Sequence, residues 1–486
     1  MNNIKSKVFS GLVWTYAERI LAQLVSLAVT VILARIIEPG EYGIISLVLV
    51  FITLANVVVS DGFGNALIQK KDADDNDFSS MLYFSLLFGI ILYFCMFFSA
   101  VFISDYYQIE ELVPVIRIFS LKIPIAAVNS IQHAFVSKRM EFKKFFFATL
   151  SGTITSGIVG IFMAYRGFGV WALVAQYLTN SVIDTVCLAF TIRWKPALFF
   201  SWHRVKVMLG FGTRVLVVSF MMALYTNIRN LIIGKKFSVE DLSYCNKGQQ
   251  FPSLISVNVN TSITKVLFPA LSSVQNDLVC IKAMTRRAIR VGTFLLSPLL
   301  IGLAAVGPTF ISVLLTEKWL PCVPYLRIMC IVYLLQPIQT ASLQAMKALG
   351  ESKIYLRLEI IRWSAGILIL IVSVAFFNDV YVVMFSALLA EIVSTSINWP
   401  ANKKILNYKY KEQLNDIIGP LIISTIMYAA VAIEVLLPLK GLFLLIVQIG
   451  TGGLVYIILS MIFKLDSFEY VINIFKPLMI KLKKKG

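Results

Sequence analysis

Histidine, charged side chains and catalytic motifs are scarce in this sequence. Only two of its 486 residues are histidine (His133 and His203), and charged residues make up 14%. No HExxH, P-loop or GxSxG motif occurs. The six cysteines have no CxxC spacing and mostly lie in apolar runs, where they are small core hydrophobes rather than disulfide partners or metal ligands. We therefore expect that the protein is not an enzyme and that it has no cofactor and no metal site.

Hydrophobic residues are what the sequence has in abundance. They make up 58% of it, and the mean hydropathy is +0.82. No soluble domain of this length has that balance, so the composition predicts a polytopic membrane protein. The first apolar run is too long for a cleavable signal peptide, and no small-residue cleavage site follows it.

Fourteen apolar runs are long enough to cross a bilayer as helices, which predicts an all-α fold with both ends of the chain on one side. These runs cover residues 8–34, 41–60, 80–103, 112–136, 145–165, 169–192, 207–231, 251–275, 290–315, 323–346, 357–377, 380–400, 415–437 and 441–463.

Basic residues alternate along the predicted loops. Starting from the N-terminal tail, every second segment holds roughly four times as many lysines and arginines as the segments between them. This pattern predicts that both termini are cytoplasmic, and it accounts for most of the net charge of +18. The tail Lys481–Gly486 adds attraction to anionic lipid, and we expect no nucleic-acid partner. The longest external loop is predicted at Gly234–Gln250.

The sequence also contains an internal repeat with an interval of about 210 residues. Three pairs of short segments match in one register: Val113–Ile118 with Val323–Ile328, Phe102–Ser104 with Phe310–Ser312, and Gly169–Trp171 with Asp379–Tyr381. The repeat predicts two six-helix lobes of the same orientation, residues 1–200 and 201–405, with a substrate site between them. Two further helices (406–465) and a basic cytoplasmic tail (466–486) lie outside the repeat.

The first helix has a polar stripe on one face. Its members recur at steps of three or four residues: Thr15, Arg19, Gln23, Ser26 and Thr30, with Glu18 at the edge. A charge in the hydrocarbon costs roughly 2.5–3.5 kcal/mol, so the stripe should face other helices or a water-filled cavity. The alternative is a buried cluster of Glu18 and Arg19 that only holds helices together.

Polar residues recur at the same two helices of each predicted lobe. They are Ser46, Thr53, Asn56 and Ser60 on the second helix, Ser219, Thr226, Arg229 and Asn230 on the seventh, and Ser253, Ser256, Asn258, Asn260, Thr261, Ser262, Thr264 and Lys265 on the eighth. A cavity between the lobes would need such a lining. Close helix packing by small residues would explain Ser and Thr equally well. It explains Arg19, Arg229 and Lys265 badly.

Further polar groups occur on other spans. Lys122, Asn129 and His133 share a face of the fourth helix, and Gln176, Asn180 and Asp184 share a face of the sixth. His133 is interpreted as a core histidine, with a switch as the alternative. Glu359 and Arg362 are one turn apart and can pair locally. Glu18, Asp184 and Glu391 are candidates for ion or proton coupling.

Four segments resemble those of a known family. They are Leu33–Gly43, Asp61–Ile68, Lys138–Phe142 and Phe268–Ser272, each at the corresponding place among the predicted helices. Together they resemble bacterial polysaccharide flippases of the multidrug/oligosaccharidyl-lipid/polysaccharide exporter superfamily. The similarity is greatest to the branch that exports lipopolysaccharide, exopolysaccharide and teichuronic-acid repeat units.

The resemblance implies two six-helix lobes in a V that open alternately to each side, and an oligosaccharide on a polyprenyl diphosphate as substrate. Cations in a polar cleft would hold the diphosphate, and we assign this role to Arg19, Arg229 and Lys265. Asn56 and Asn260 would contact sugar hydroxyls. Gln23 and Lys122 complete the predicted substrate-binding set.

Two rival functions remain open at this stage. A cation-coupled multidrug antiporter of the same superfamily should have an anionic cavity, whereas the candidate cavity charges here are mainly basic. A membrane polysaccharide polymerase or ligase usually has a large external loop, whereas the longest external loop predicted here, Gly234–Gln250, is short. We expect a monomer in the bacterial cytoplasmic (inner) membrane, with membrane lipids, a polysaccharide polymerase and export machinery as candidate partners.

Overall fold

The computed structural model describes residues 2–192, 194–434 and 438–473, without the side chains of residues 2–18, Asp61, Phe211, Arg214 and Ser352. Within these ranges the chain is helical and contains no strand. The helices are α1 Asn2–Ile36, α2 Pro39–Gln69, α3 Asp75–Tyr107, α4 Leu112–Phe119, α5 Lys122–Arg139, α6 Lys143–Tyr165, α7 Val170–Thr191, α8 Trp202–Lys236, α9 Val239–Ser272, α10 Leu278–Leu314, α11 Val323–Leu334, α12 Gln336–Ala348, α13 Ser352–Phe376, α14 Val380–Leu406, α15 Tyr410–Ile433 and α16 Gly441–Ile462, with a 3-10 helix at Glu317–Cys322.

The described residues contain 14 segments that are long and apolar enough to cross a membrane. Their number and order confirm the predicted all-α polytopic fold. Two of them, Leu112–Arg139 and Glu317–Ala348, are built from consecutive helical pieces rather than from one helix. These are the fourth and tenth spans, which occupy equivalent places in the predicted repeat.

The predicted external loop at Gly234–Gln250 is wrong. Helix α8 continues to Lys236 and α9 begins at Val239, so only two residues separate them. The turn is capped from within, because the backbone N–H of Asp241 donates to Ser238 Oγ (3.0 Å) and that of Ser238 donates to Asp241 Oδ2 (3.3 Å). Charged residues that suggested a loop therefore begin a helix that extends beyond the apolar part of the span.

The chain divides into two compact units, Met1–Ser243 (unit 1) and Tyr244–Gly486 (unit 2). In unit 1, α8 packs along α2 so closely that a Cβ on Gly212 would lie 2.5 Å from the carbonyl oxygen of Gly62. In unit 2, α10 contacts α11, α12, α15 and α16. The division after Ser243 reflects which helices contact one another. The lobe boundary after residue 200 stays a prediction from the repeat.

The two interrupted spans have a common cause. Leu121 and Leu335 donate their backbone N–H groups three residues back (3.2 and 3.4 Å), which is the tighter 3-10 pattern. Pro124 and Pro337 follow within three residues. A proline supplies no N–H and its ring clashes with the carbonyl four residues earlier, so the α-helix is interrupted at both places.

The repeat is also visible in side-chain contacts. Arg117 Nε donates to the carbonyl of Phe97 (3.4 Å), and Arg327 Nε donates to that of Ala304 (3.2 Å). In each case an arginine at the start of the interrupted span bonds the backbone of the preceding span. These arginines, which sequence analysis matched to each other, therefore occupy equivalent environments in the two units.

Candidate functional site

The polar stripe of α1 belongs to unit 1. Arg19 is half-buried and makes no hydrogen bond or ion pair with the described residues. Gln23, one turn further, is also half-buried. The side chain of Glu18 lies outside the described residues. A cationic side chain held on this helix without a carboxylate partner in the described part of unit 1 can bind an anionic group.

Two more predicted residues of unit 1 have buried polar atoms without partners. Asn56 on α2 has its Oδ1 buried without a hydrogen bond, although its backbone carbonyl accepts from Ser60 Oγ (2.7 Å). Arg229 on α8 has contacts of its own, but its Nε is buried and makes no hydrogen bond. Buried polar atoms are normally bonded, so each such atom is available to a water molecule or a ligand.

Lys122 stands at the interruption of the fourth span, as the first residue of α5. Its Nζ lies 5.8 Å from the centre of the Phe119 ring and 5.3 Å from that of Tyr177. Both rings face a cation at a distance where cation–π attraction acts. Among the described residues no carboxylate pairs with this ammonium group, so it can bind an anion at the helix break.

Asp184 forms the centre of a polar cluster that joins α5 to α7. The amide of Asn129 donates to Asp184 Oδ2 (2.7 Å), and His133 Nε2 lies 3.2 Å from the same oxygen. Asp184 Oδ1 is buried without a hydrogen bond. The His133 ring stacks on Phe145 with the ring centres 4.5 Å apart. The two predicted polar faces, on the fourth and sixth spans, are thus brought together around one carboxylate.

The interruption of the tenth span lies beside polar α9 in unit 2. Gln336 Oε1 accepts from Ser256 Oγ (2.7 Å) and from Asn260 Nδ2 (3.1 Å). Asn260 Oδ1 is buried without a hydrogen bond. Asn260 is therefore held in place by its amide nitrogen while its oxygen is unused. Lys265, further along α9, is exposed.

Glu391 lies in a second polar cluster of unit 2. Gln339 Nε2 donates to Glu391 Oε1 (2.6 Å), and Arg362 bonds both Gln339 and Ser394. Arg362 also pairs with Glu359 at 3.0 Å, as the spacing of these two residues predicted. The amide nitrogen of Gln339 thus bonds Glu391, while the amide oxygen of Gln339 accepts from Arg362, which is permanently charged.

The two carboxylate clusters are related by the repeat. Asp184 and Glu391 are separated by nearly the repeat interval, and so are their partners His133 and Gln339. In each unit, a carboxylate of the last repeat helix bonds a residue of the interrupted span. The partner in unit 1 is the imidazole of a histidine, and the partner in unit 2 is the side-chain amide of a glutamine.

The sequence patterns do not point to Gln336, to Gln339 or to the pairing of His133 with Asp184. The repeat interval would have pointed from His133 to Gln339, but no local pattern marks Gln339. Within the described ranges, no three His, Cys, Asp or Glu side chains come together as candidate metal ligands.

The chain is similar to known proteins in both sequence and fold. Residues 32–324 match the model of a family described as polysaccharide biosynthesis protein. The lipopolysaccharide biosynthesis protein WzxC of Escherichia coli K12 is 25% identical over 338 residues, 69% of each chain. The teichuronic acid biosynthesis protein TuaB of Bacillus subtilis 168 is 25% identical over 377 residues, 76% of each chain. The lipid II flippase MurJ in an inward closed conformation superposes with a TM-score of 0.72 at 17% identity, covering 94% of this chain and 98% of MurJ.

Proposed function

The chain belongs to the polysaccharide biosynthesis protein family, and from this we propose that it moves a lipid-linked oligosaccharide across the membrane. The main support for this proposal is that the family of the chain and its fold point to the same function. Its relatives are named for different envelope polymers, lipopolysaccharide and teichuronic acid, and its fold is that of a lipid II flippase. From these names we take a sugar polymer and a membrane lipid as the two parts of the proposed substrate. The chain is proposed to transport this unit and not to modify it.

We propose a polyprenyl diphosphate as the lipid part. Arg19, Arg229 and Lys265 hold the diphosphate, and Lys122 is a further cation at the break of the fourth span. Arginine suits this role because its planar guanidinium matches two phosphate oxygens at once. The unused amide oxygens of Asn56 and Asn260 accept from sugar hydroxyls. Gln23 is a further residue of the proposed substrate-binding set.

Transport requires that the substrate bind one of two conformations more tightly than the other. We propose that protonation of the His133–Asp184 pair provides the second input. Asp184 Oδ2 accepts from Asn129 and lies 3.2 Å from His133 Nε2, while Asp184 Oδ1 is buried without a hydrogen bond among the described residues. Glu391 is the weaker candidate, because Gln339 already bonds it and Arg362 in turn bonds Gln339. Glu18 stays a candidate from sequence alone.

The proposed setting follows the charge pattern of the sequence. The protein lies in the bacterial cytoplasmic membrane with both termini in the cytoplasm, acts as a monomer, and delivers its product to a polymerase and export machinery. The lobes 1–200 and 201–405 alternate their access to the two sides, and the helices of 406–465 are additions to this repeat.

Flipping in proteoliposomes tests the proposal. The substrate is a fluorescent oligosaccharide on a polyprenyl diphosphate, and the readout is its exposure to a membrane-impermeant quencher. We expect Arg19→Ala, Arg229→Ala and Lys265→Ala each to slow flipping about tenfold or more, since a charge-assisted bond contributes about 1.5–3 kcal/mol. Arg166→Ala is the matched control, because Arg166 is exposed and stacks only on the Phe162 ring (5.1 Å).

Unchanged flipping in all three variants would remove the proposed diphosphate site. Transport of a cationic dye by the wild-type protein, without flipping of the lipid, would instead support a multidrug antiporter.

A further inference from the structure

A cleft opens in unit 2 where α10 meets the helical turn after α16. Its volume is about 370 Å³. Three arginines of α10 line one wall, and Asp466, Ser467 and Tyr470 line the other. None of these residues belongs to the substrate or coupling sites described above. Three arginines around one small opening are costly unless anions neutralise them.

Among the described residues, protein carboxylates pair with two of the three arginines of the cleft and with the neighbouring Lys282. Arg286 bonds both oxygens of Asp416 (2.7 and 2.9 Å), and Arg290 bonds Asp416 (2.6 Å) and Asp466 (2.9 Å). Lys282 pairs with Glu412 at 2.9 Å.

Arg287 has a different environment from its neighbours. Its guanidinium carbon lies 4.8 Å from the centre of the Tyr470 ring, and no carboxylate of the described residues pairs with it. The side chain is exposed. Ser467 is buried to 7% exposure, lines the same cleft, and its hydroxyl has no hydrogen-bond partner in the described ranges. A fixed cation and an unused hydroxyl at one opening suit a phosphate group.

The position of the cleft relative to the bilayer favours a lipid as the source of that phosphate. Helix α10 has 37 residues and is about 55 Å long, whereas the hydrocarbon layer is about 30 Å thick. Its apolar run begins near residue 290, so Arg287 lies at the level of the lipid head groups. Leu295 and Leu299 follow on α10 with 40% and 51% exposure, and both can contact acyl chains.

We propose that this cleft binds the phosphate of an anionic phospholipid, with Arg287 and Ser467 as the binding groups. Under the orientation given in the proposed function, the lipid comes from the cytoplasmic leaflet. The bound lipid would neutralise the last cation of the cluster and anchor the α10–α15–α16 end of unit 2 at the membrane surface. This binding site does not require that the protein flip anything.

Lipid retention tests the inference without any transport substrate. The full chain is purified from nanodiscs that contain phosphatidylglycerol and phosphatidylcholine, and native mass spectrometry counts the lipids that stay bound. We expect the wild-type protein to retain phosphatidylglycerol selectively and Arg287→Gln to lower this retention about tenfold. Arg166→Gln, which removes an exposed arginine that also stacks on a ring, should retain phosphatidylglycerol like the wild type.

A second variant distinguishes loss of the lipid site from a folding defect of Arg287→Gln. Ala283→Phe fills the cleft from an exposed position and changes no charge, and it should lower retention as well. Equal retention by Arg287→Gln, Ala283→Phe and the wild type would overturn the inference. So would displacement of the phosphatidylglycerol by millimolar inorganic phosphate, because the cleft would then be a site for soluble phosphate. Failure of flipping alone would leave the lipid site supported and refute only the proposed function.

Discussion

Asp416 offers the sharpest test of how unit 2 is held together. Its carboxylate accepts four hydrogen bonds, two from Arg286, one from Arg290 (2.6 Å) and one from the Tyr408 hydroxyl (2.6 Å). The Asp416 side chain is fully buried, whereas those of Arg286 and Arg290 are 25% and 33% exposed. One carboxylate on α15 thus joins two arginines of α10 and Tyr408, which lies two residues before α15.

The magnitude follows from this geometry. Removing one partner of a fully buried ion pair costs about 3–5 kcal/mol, because the other charge is left unpaired. Here both arginines reach solvent and can recover part of that loss in water. Asparagine also keeps an acceptor for the Tyr408 hydroxyl. We therefore expect Asp416→Asn to lower the free energy of unfolding by about 2–4 kcal/mol.

Thermal unfolding of the purified protein in detergent measures this effect. For a unit of this size, the expected loss corresponds to a lower melting temperature by about 5–10 °C. Asp466→Asn is the matched control, because Asp466 is 80% exposed and forms one ion pair with Arg290 at 2.9 Å. Exposed pairs contribute about 0–1 kcal/mol, so its melting temperature should barely change. Equal shifts for the two variants would refute this account of the cluster.

Two further predictions concern protons. In the His133→Gln variant, a pH gradient should stimulate flipping at least about fivefold less than in the wild type. His203→Gln changes the other histidine, which is exposed, and should keep the full stimulation. Equal stimulation in the two variants would refute the coupling role. The hydrogen bond from Arg204 (2.6 Å) lowers the pKa of Asp74. The contact therefore stabilises the fold fully above the ordinary aspartate pKa of about 3.9. This stabilisation is lost as the pH falls toward the lowered pKa. Arg204→Gln should therefore reduce the drop in melting temperature between about pH 6 and pH 3, and an unchanged drop would contradict this.

The number and order of the spans could be predicted because hydropathy is a local property that adds along the chain. The loop at Gly234–Gln250 was predicted wrongly for the same reason. A helix that extends into water has the composition of a loop, and only the capping pair Ser238 and Asp241 distinguished the two. Helix ends outside the bilayer are therefore better read from caps than from hydropathy.

The faces of the polar helices were predictable, but their partners were not. Period alone placed His133 on one face of its span and Asp184 on one face of another. Their contact depends on how α5 and α7 rotate against each other, which is decided by packing over the whole unit. The arginines of α10 illustrate the same limit. The charge pattern explained them only as basic residues that orient the chain in the membrane, whereas two of them, Arg286 and Arg290, form ion pairs with Asp416 of α15.

The most direct test of the central claim compares two substrates that differ only in the head group. Wild-type protein in proteoliposomes is offered the same oligosaccharide on a polyprenyl diphosphate and on an uncharged polyprenol. We expect the diphosphate form to flip about tenfold faster or more, and the triple variant of Arg19, Arg229 and Lys265 to alanine to remove that preference. Equal rates for the two lipids in the wild-type protein, or an undiminished preference in the triple variant, would contradict the proposal that Arg19, Arg229 and Lys265 select a phosphorylated lipid.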